Sequence, residues 1–322
     1  RDGHGDLRTD HVYFHNGLQI IDCIEFNDRF RYGDTALDLS FLIMDLDHQG
    51  FPDQAGHLLS VYARKALDPE IYALLYFYAA YRAMVRLKVT AFSLDHADPV
   101  HREILAMDLQ RYLNQAYRYA LMFGRPVLWI FCGLPATGKS TLARAVSIAL
   151  SLPLFQSDGV RKAGQNEPAQ GVVPFNTGAY QPVRRGRVYA RLLNLADEAL
   201  KQGRSVALDA TFSEARWREA AEALARDIKA GLIFIQCVCS RETMEARLKQ
   251  RELTPGESDA RLSHLMDILK NAEPFRVADP LTHLEIHTDQ PLEEALYTLL
   301  EQAYTLKRAQ TETLLSNSLP ED

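Results

Sequence analysis

The chain has 322 residues, of which 47% are hydrophobic and 24% are charged, and its formal net charge is −6. This length is enough for two domains of ordinary size, and the acidic balance argues against a dedicated nucleic-acid-binding protein. No stretch approaches the roughly 18 apolar residues of a membrane-spanning helix, and the four cysteines are too few for a disulfide framework, so we expect a protein of the reducing cytoplasm.

The first segment with a chemical signature is His4-Gly5-Asp6-Leu7, which is followed by His11 and by Ile20-Ile21-Asp22. The apolar residues before Asp22 predict a short strand that delivers a carboxylate to a site. These residues resemble the catalytic loop and the metal-binding aspartate of the aminoglycoside phosphotransferase branch of the protein-kinase-like fold. The resemblance implies that Asp6 accepts the proton of a substrate hydroxyl and that Asp22 holds Mg2+ on the phosphates. The alternative is that both aspartates only cap helices and turns.

This segment departs from that family in two ways. His11 occupies the position at which the family pattern has an Asn as a second metal ligand. No Gly-rich loop or phosphate-binding Lys precedes the segment, and the chain begins at Arg1 without a methionine. We therefore expect a piece of a longer protein, in which the N-terminal part of this first domain is missing.

Helical sequence follows the kinase-like segment. Apolar residues recur at helical spacing over Leu37–Leu46, Gln54–Leu67, Pro69–Val89 and Val100–Phe123. Residues 1–123 are therefore predicted to form a mainly helical domain that resembles the C-lobe of such a kinase, and residues 124–126 are predicted to be a short linker.

The strongest motif of the chain begins with the apolar run Val127–Cys132. A Gly-x-x-x-x-Gly-Lys-Ser loop follows from Gly133 to Ser140, and helical spacing then continues to Leu150. A strand, a Gly-rich loop and a helix are the context that a Walker A motif requires, so the sequence predicts a nucleoside triphosphate site. We expect the phosphate-binding loop to consist of Gly133, Leu134, Pro135, Ala136, Thr137, Gly138, Lys139, Ser140 and Thr141.

The residue types in this loop suit phosphate chemistry. Gly133 and Gly138 allow backbone angles that are closed to other residues, so amide groups can turn inward around phosphate oxygens at a helix N-terminus. Lys139 is expected to reach the β- and γ-phosphates of ATP, and the Ser140 hydroxyl is expected to be a ligand of Mg2+.

Strand-like and helical segments alternate along residues 127–306. The predicted strands are Val127–Cys132, Leu154–Gln156, Ser205–Leu208, Leu232–Val238 and Leu284–Ile286. The predicted helices are Ser140–Leu150, Val183–Gln202, Ser213–Lys229, Arg241–Arg251, Asp259–Asn271 and Pro291–Leu306. Such alternation predicts an α/β fold of the P-loop NTPase type, with a parallel sheet and helices on both faces. The polar residues after Leu306 predict a frayed tail over 307–322.

Two aspartates fall at the carboxyl ends of predicted strands, where ligands of such sheets gather. Asp158 follows Leu154–Gln156 and precedes Arg161, which suits a base for an acceptor hydroxyl beside a cation that binds phosphate. Asp209 ends a Walker-B-like strand and is a second candidate ligand of Mg2+. For both aspartates, the alternative is a structural cap.

Arg247 and Arg251 are four residues apart, on one face of a predicted helix. Small P-loop kinases close a lid whose arginines neutralise the transferring phosphoryl group, and this pair is the candidate for that role. The alternative is a solvated charged face.

These motifs together make residues 127–306 resemble the AAA-type P-loop kinases that include zeta toxins, chloramphenicol phosphotransferase and gluconate kinase. The order of the two domains resembles bacterial fusions of an aminoglycoside-phosphotransferase-like domain with such a kinase. The resemblance implies a Mg2+- and ATP-dependent kinase that acts on a hydroxyl of a small metabolite. Two alternatives stay open: a polynucleotide 5′-end kinase, and a non-catalytic ATP-sensing module.

Overall fold

The computed structural model describes residues 1–163, 182–253 and 273–318, without the side chains of residues 182–184, 251–253 and 318. The chain divides into two compact units. Unit 1 contains residues 1–124 together with the chain from Thr311 onward, and unit 2 contains residues 125–310. The division between Gly124 and Arg125 falls inside the predicted linker.

Unit 1 is mainly helical and begins with a small hairpin. A short 3-10 turn, Thr9–His11, leads into the antiparallel strands β1 (Val12–Phe14) and β2 (Leu18–Ile20). The helices are α1 (Asp28–Arg31), α2 (Thr35–His48), α3 (Pro52–Ala66), α4 (Ile71–Leu94) and α5 (Pro99–Gly124). The four predicted helices are therefore present, each within a few residues of its expected ends.

The core of unit 1 is formed by the apolar faces of its long helices. Ile43 and Met44 of α2, Leu59 of α3 and Leu75 of α4 are completely buried. Each such side chain contributes roughly 1.5–3 kcal/mol relative to its exposed state. Helical spacing in the sequence thus corresponds to burial in the structure.

Unit 2 is built on a five-stranded parallel sheet. Its strands are β3 (Val127–Cys132), β4 (Leu154–Gln156), β5 (Val206–Asp209), β6 (Gly231–Val238) and β7 (His283–His287). They lie side by side in the order β4-β5-β3-β6-β7. The central strand is therefore β3, which precedes the predicted phosphate-binding loop. The fold class is the predicted one, a P-loop sheet covered by helices.

In the described part of unit 2 the helices are α6 (Lys139–Ala149), α7 (Ser157–Ala163), α8 (Pro182–Lys201), α9 (Ala215–Ile228), α10 (Arg241–Leu253) and α11 (Leu292–Ser318), the last of which continues into unit 1. Alternate residues of β3 face the two sides of the sheet. Leu128 and Ile130 pack in the core with α8 and α9, whereas Trp129 and Phe131 pack in the core with α6 and α11. Because both faces of the sheet are covered, β3 is apolar at every position rather than at every second one.

One predicted helix of unit 2 is longer than expected, and another lies outside the described residues. The helix expected to end at Leu306 continues to Ser318, where a frayed tail was predicted. No Gly or Pro interrupts residues 307–318, and Lys, Arg, Ala, Gln, Glu and Leu there favour a helix despite their polarity. The predicted helix Asp259–Asn271 lies outside the described residues.

No helix of the described ranges has both the length and the hydropathy needed to cross a membrane.

Candidate nucleotide-binding site

The loop between β3 and α6 has the backbone geometry of a compact turn that ends in a helix N-terminus. Gly133, Ala136 and Gly138 have φ angles of +131°, +66° and +83°. Gly138 is the residue immediately before α6, and no side chain caps this end of the helix. The first amides of α6 are therefore directed into the loop, as in an anion-binding site.

The backbone hydrogen bonds separate two groups of amides in the predicted loop. Gly133 donates to the carbonyl of Thr211, Thr137 to that of Leu134 and Thr141 to that of Gly138. Among the described residues, no backbone carbonyl accepts a hydrogen bond from the amides of Leu134, Ala136, Gly138, Lys139 and Ser140. Pro135 has no amide hydrogen. The second group contains the donors that are available to phosphate oxygens, since a donor without a protein partner needs another acceptor.

Gly133 joins the loop to two neighbouring strands. Its amide donates to Thr211 O at 3.2 Å, just beyond β5, and the amide of Ala210 donates to Phe131 O at 3.2 Å. A Cβ atom at Gly133 would lie 2.5 Å from the carbonyl oxygen of Cys237, which follows from the close approach of β6. Only glycine fits this position.

The two side chains predicted to contact phosphate and Mg2+ are not engaged elsewhere. Within the described ranges, neither the ammonium group of Lys139 nor the hydroxyl of Ser140 makes a hydrogen bond or an ion pair, and both residues are half-buried. They follow Gly138 at the start of α6. An ammonium group with no carboxylate partner at a helix N-terminus adds positive charge where the amides already favour an anion.

Asp209 is the predicted Walker-B-like carboxylate, and its side chain is buried. It is 3% exposed and lies beside Phe131 in the register of β5 with β3. Gln156, its neighbour on β4, donates from Nε2 to Asp209 Oδ2 at 2.8 Å. Oδ1 of the same carboxylate has no hydrogen-bond partner in the described part of the chain.

A buried carboxylate oxygen without a partner is costly unless a cation or a water molecule satisfies it. The described residues contain no group of three His, Cys, Asp or Glu side chains that could form a protein-only metal site. This donor set fits Mg2+, which is held by one or two protein oxygens together with water and phosphate. Asp209 Oδ1 and the Ser140 hydroxyl are the groups that would hold it.

The structure brings Asp158 and Arg161 together on α7. Arg161 Nη2 lies 3.0 Å from Asp158 Oδ1, and the Arg161 side chain is only 11% exposed. Because α7 follows β4 directly, this pair lies after the same strand end as Gln156. Arg161, predicted as a phosphate-binding residue, thus contacts the candidate base itself.

Arg247 of α10 contacts the phosphate-binding loop rather than open solvent. Its Nη1 donates to Ala136 O at 3.2 Å and to Thr288 Oγ1 at 3.1 Å, and its Nη2 donates to Thr288 O. The alternative of a solvated charged face therefore does not hold for Arg247. The side chain of Arg251 lies outside the described residues.

A cavity of about 470 Å3 lies against the N-terminus of α6. Its lining includes Gly138, Thr141, Arg247, Thr288 and Gln290. The volume is in the range of small-ligand sites, and the mixture of polar and apolar groups is typical of such sites. The cavity could hold the nucleoside part of a nucleotide whose phosphates lie at the loop.

The thiols of Cys132 and Cys237 beside the loop are buried. Burial raises the pKa of Cys237 to about 12 and raises the pKa of Cys132 well above its ordinary value. Because the thiolate is the nucleophilic form of cysteine, these raised pKa values favour a packing role for both side chains.

In unit 1 the predicted catalytic and metal residues meet around His11. This imidazole is buried, donates from Nδ1 to Asp6 O at 2.9 Å, and has Nε2 at 3.3 Å from Asp22 Oδ2. Arg8 donates to Asp6 Oδ2 at 3.2 Å and lies 3.1 Å from His11 Nε2. The fold of this segment thus brings Asp6 and Asp22 to the same imidazole.

The charges of that cluster do not fit the predicted Mg2+ site at Asp22. A guanidinium group already contacts Asp6 and His11, and the Asp22 side chain is 76% exposed. Mg2+ requires oxygen ligands in a regular octahedral arrangement, and a fixed positive charge beside them opposes its binding. We therefore assign no metal to unit 1.

A second aspartate fixes the turn that carries Asp6. Asp38 of α2 accepts from the amide of His4 at 2.5 Å and from that of Gly5 at 2.8 Å. Arg82 of α4 donates to Gly5 O at 2.9 Å. These bonds account for the partly buried position of Asp38, whose side chain is 19% exposed.

Comparison with known families places the motif in context. Residues 128–275 match the family model described as an AAA domain. Uncharacterized proteins of Mycobacterium bovis and Mycobacterium tuberculosis are 34% identical over 264 residues, which cover 80% of this chain and 51% of each relative. The chain therefore spans about half the length of the curated relatives it matches.

Solved structures similar to this chain include two kinases from bacteria. A putative kinase from Chloroflexus aurantiacus is 23% identical with a TM-score of 0.44, covering 55% of this chain and 98% of that chain. A gluconokinase from Sinorhizobium meliloti is 18% identical with a TM-score of 0.40, covering 61% of this chain and 99% of that chain.

Proposed function

We propose that unit 2, which contains the segment matched by the AAA domain, is an ATP-dependent phosphotransferase that transfers the γ-phosphoryl group to a hydroxyl of a small metabolite. The observation that carries this proposal is the set of unpartnered groups at one edge of the sheet. Backbone amides from Gly138 to Ser140, the ammonium of Lys139 and Oδ1 of Asp209 all lack partners in the described residues. Donors for phosphate and an acceptor for a cation's hydration shell are what a nucleotide with its metal requires.

The donor nucleotide is held by charge and by backbone. The amides of the first turn of α6 bind the β- and γ-phosphate oxygens, and Lys139 neutralises charge that develops on the transferring group. The cavity beside Gly138 and Thr141 accommodates the nucleoside. These contacts do not depend on the structure of the acceptor, so they explain nucleotide use without identifying the second substrate.

A bound Mg2+ would supply positive charge that stabilises the phosphoryl group in the transition state, and Ser140 and Asp209 are the residues that would hold it. Gln156 fixes one oxygen of the Asp209 carboxylate, and the other oxygen has no hydrogen-bond partner in the described residues. Ser140 supplies a hydroxyl from the first turn of α6. This hydroxyl would be an oxygen ligand of the ion, and Asp209 Oδ1 would accept hydrogen bonds from the water shell of the ion.

Asp158 is the proposed base for the acceptor. Its carboxylate takes the proton of the attacking hydroxyl while the oxygen of that hydroxyl forms the bond to the γ-phosphorus and ADP leaves. Arg161, at 3.0 Å, holds the carboxylate in one orientation. For residues 1–123 the resemblance to a kinase-like C-lobe stays a prediction, as do the assigned role of Asp6 and a location in the cytoplasm.

The test measures ADP release and phosphoryl transfer with Mg-ATP and a panel of hydroxylated metabolites, with a 5′-hydroxyl oligonucleotide included. Lys139→Ala is expected to lower turnover by about 10²–10³-fold, because one stabilising charge is removed from the transition state. Lys201→Ala, which alters an exposed i,i+4 ion pair at the far end of α8, is the matched control and is expected to keep wild-type turnover.

Three outcomes distinguish the proposed small-metabolite kinase from its two alternatives. Unchanged turnover in Lys139→Ala overturns the proposal. Transfer to the oligonucleotide alone assigns a 5′-end kinase. Tight Mg-ATP binding without transfer to any acceptor assigns the nucleotide-sensing module.

A further inference from the structure

The phosphate-binding loop is held from behind by two residues that lie far from it in the sequence. Arg247 of α10 donates to the carbonyl of Ala136, and Thr288, the residue after β7, donates from Oγ1 to the carbonyl of Thr137 at 2.6 Å. Thr288 is 6% exposed, and its amide is anchored to Val238 O at 2.8 Å. Two consecutive carbonyls of the loop are therefore fixed on the same side.

Because the peptide bond is planar, the direction of a loop carbonyl also fixes the direction of the amide that follows it. In a trans peptide the carbonyl of one residue and the amide N–H of the next residue point in opposite directions. Fixing Thr137 O towards Thr288 therefore aims the N–H of Gly138 away from Thr288. That N–H has no acceptor in the described part of the chain, as expected for a donor reserved for phosphate.

The three groups form a polarised chain of hydrogen bonds. Arg247 Nη1 donates to Thr288 Oγ1 at 3.1 Å, and the same hydroxyl donates to Thr137 O. A hydroxyl that accepts from a cation is a stronger donor, so the bond to the loop carbonyl is reinforced. The left-handed conformation of Ala136 is unfavourable for a residue with a Cβ atom, and the bond from Arg247 to its carbonyl stabilises it.

The charge of Arg247 is not consumed by these contacts. Among the described residues, the hydrogen bonds from its guanidinium to Ala136 and Thr288 go to carbonyl and hydroxyl oxygens. The carboxylate of Asp289, whose pKa is lowered by side-chain hydrogen bonds and also by Arg247, makes no ion pair with this guanidinium within 4.0 Å. A Cβ atom at Gly138 would lie 3.3 Å from Arg247 Nη1, so the cation is adjacent to the first turn of α6. It therefore adds to the positive potential around the bound phosphates.

We propose that Thr288 and Arg247 are positioning residues for nucleotide binding, which set the peptide orientation of the phosphate-binding loop. The inference rests on the proposed function, because it names how that site is kept in its binding form. It assigns Arg247 to the loop rather than to the transferring phosphoryl group.

The experiment compares Thr288→Val, which removes the hydroxyl and keeps the shape, with Thr288→Ser, which restores it. Mg-ADP affinity is measured by titration calorimetry, and hydrogen–deuterium exchange of residues 133–142 is measured without nucleotide. Thr288→Val is expected to bind Mg-ADP about tenfold more weakly and to exchange faster in the loop, because a charge-assisted bond is lost. Thr288→Ser is expected to behave as wild type in both measurements.

Thr282→Val is the matched control. Its hydroxyl also makes a 2.6 Å bond to a backbone carbonyl, that of Asp279, but at the opposite end of β7. Arg247→Lys keeps the positive charge and loses the forked bonds, so it is expected to weaken binding at least as much as Thr288→Val. If Thr288→Val does not fold, Arg247→Lys supplies the same test.

Failure of this inference is distinguishable from failure of the proposed function. Wild-type affinity and wild-type loop exchange in Thr288→Val, with wild-type protein that binds Mg-ADP, overturn the positioning role alone. Faster loop exchange in Thr288→Val supports the positioning role even if no acceptor is phosphorylated.

Discussion

At the scale of single residues, Gly133 shows how little freedom the nucleotide site allows. Its φ of +131° is rare for other residues, and a Cβ atom would lie 2.5 Å from Cys237 O and 3.0 Å from Thr137 Oγ1. Gly203 also has a positive φ, +73°, but a Cβ atom at Gly203 would have no neighbouring atom within 4 Å. Substitutions at these two positions therefore distinguish the cost of a positive φ from the cost of a steric clash.

We expect Gly133→Ala to abolish nucleotide binding and to lower the free energy of unfolding by more than Gly203→Ala does. Gly203→Ala carries only the left-handed strain of about 1–2 kcal/mol. Gly133→Ala adds overpacking against backbone, which costs about 1–3 kcal/mol more because β6 cannot move away without breaking the sheet. Urea unfolding of both variants measures the difference, and equal losses would contradict the steric explanation.

The positions of candidate site residues could be predicted wherever a motif tied them to a strand end. Lys139, Ser140 and Asp209 follow from the Walker spacing and from the apolar strands before them. Gln156 and Thr288 also follow strand ends, but no motif marks them, because an amide and a hydroxyl occur at such positions for many reasons. Their roles depend on which strands are neighbours, and the order β4-β5-β3-β6-β7 cannot be read from the sequence.

At the scale of elements, the packing of α5 against α2 includes a half-buried histidine. His48 stacks on Tyr112 with ring centroids 3.8 Å apart and an interplanar angle of 6°. Burial lowers the pKa of His48, and the nearby Arg111 lowers it further. The folded state therefore favours the neutral imidazole.

This shift predicts the direction of a pH effect. The unfolded chain binds a proton at His48 near the ordinary value of 6.5, whereas the folded protein binds it only at lower pH. Stability from this residue is thus present above pH 6.5 and is lost as pH falls towards the folded pKa, by at most about 1.4 kcal/mol per pH unit. His48→Phe keeps the stacking and removes the titration.

We expect hydrogen-exchange protection of α2 and α5, corrected for intrinsic exchange rates, to fall less between pH 6.5 and pH 5 in His48→Phe than in wild type. His57→Gln, which changes an exposed imidazole on α3, is the control and should follow the wild-type profile. A His48→Phe profile parallel to wild type would show that other groups cause the acid sensitivity of this helix pair.

Element ends were harder to predict than elements. The apolar period placed β3 at its observed ends and the four helices of unit 1 within a few residues, because a buried face leaves a periodic signal. The same signal weakens after Leu306, although α11 continues to Ser318. A change to polar residues indicates where a helix stops packing against a core. Only a helix-breaking residue such as Gly or Pro indicates where the helix ends.

At the scale of the whole molecule, the two units differ in organisation. Local helical contacts dominate unit 1, whereas unit 2 is built from strands distant in sequence. The residues proposed to contact the nucleotide all belong to unit 2. The alternation of strands and helices predicted this contrast, because only a parallel sheet needs a crossover between successive strands.

We expect the stabilisation caused by Mg-ADP binding to be confined to unit 2. With Mg-ADP at about 100 times its dissociation constant, unit 2 gains about 2.7 kcal/mol against opening, because the ligand binds only the folded site. We expect stronger hydrogen-exchange protection over residues 133–142, at the end of β5 and in α10, with no change in α2, α3 and α4, which belong to unit 1. Lys139→Ala, measured at the same Mg-ADP concentration, should show a smaller gain. Equal added protection in both units would instead mean that the helical unit senses the nucleotide, since a ligand can stabilise a segment only through a difference in free energy between its open and closed forms.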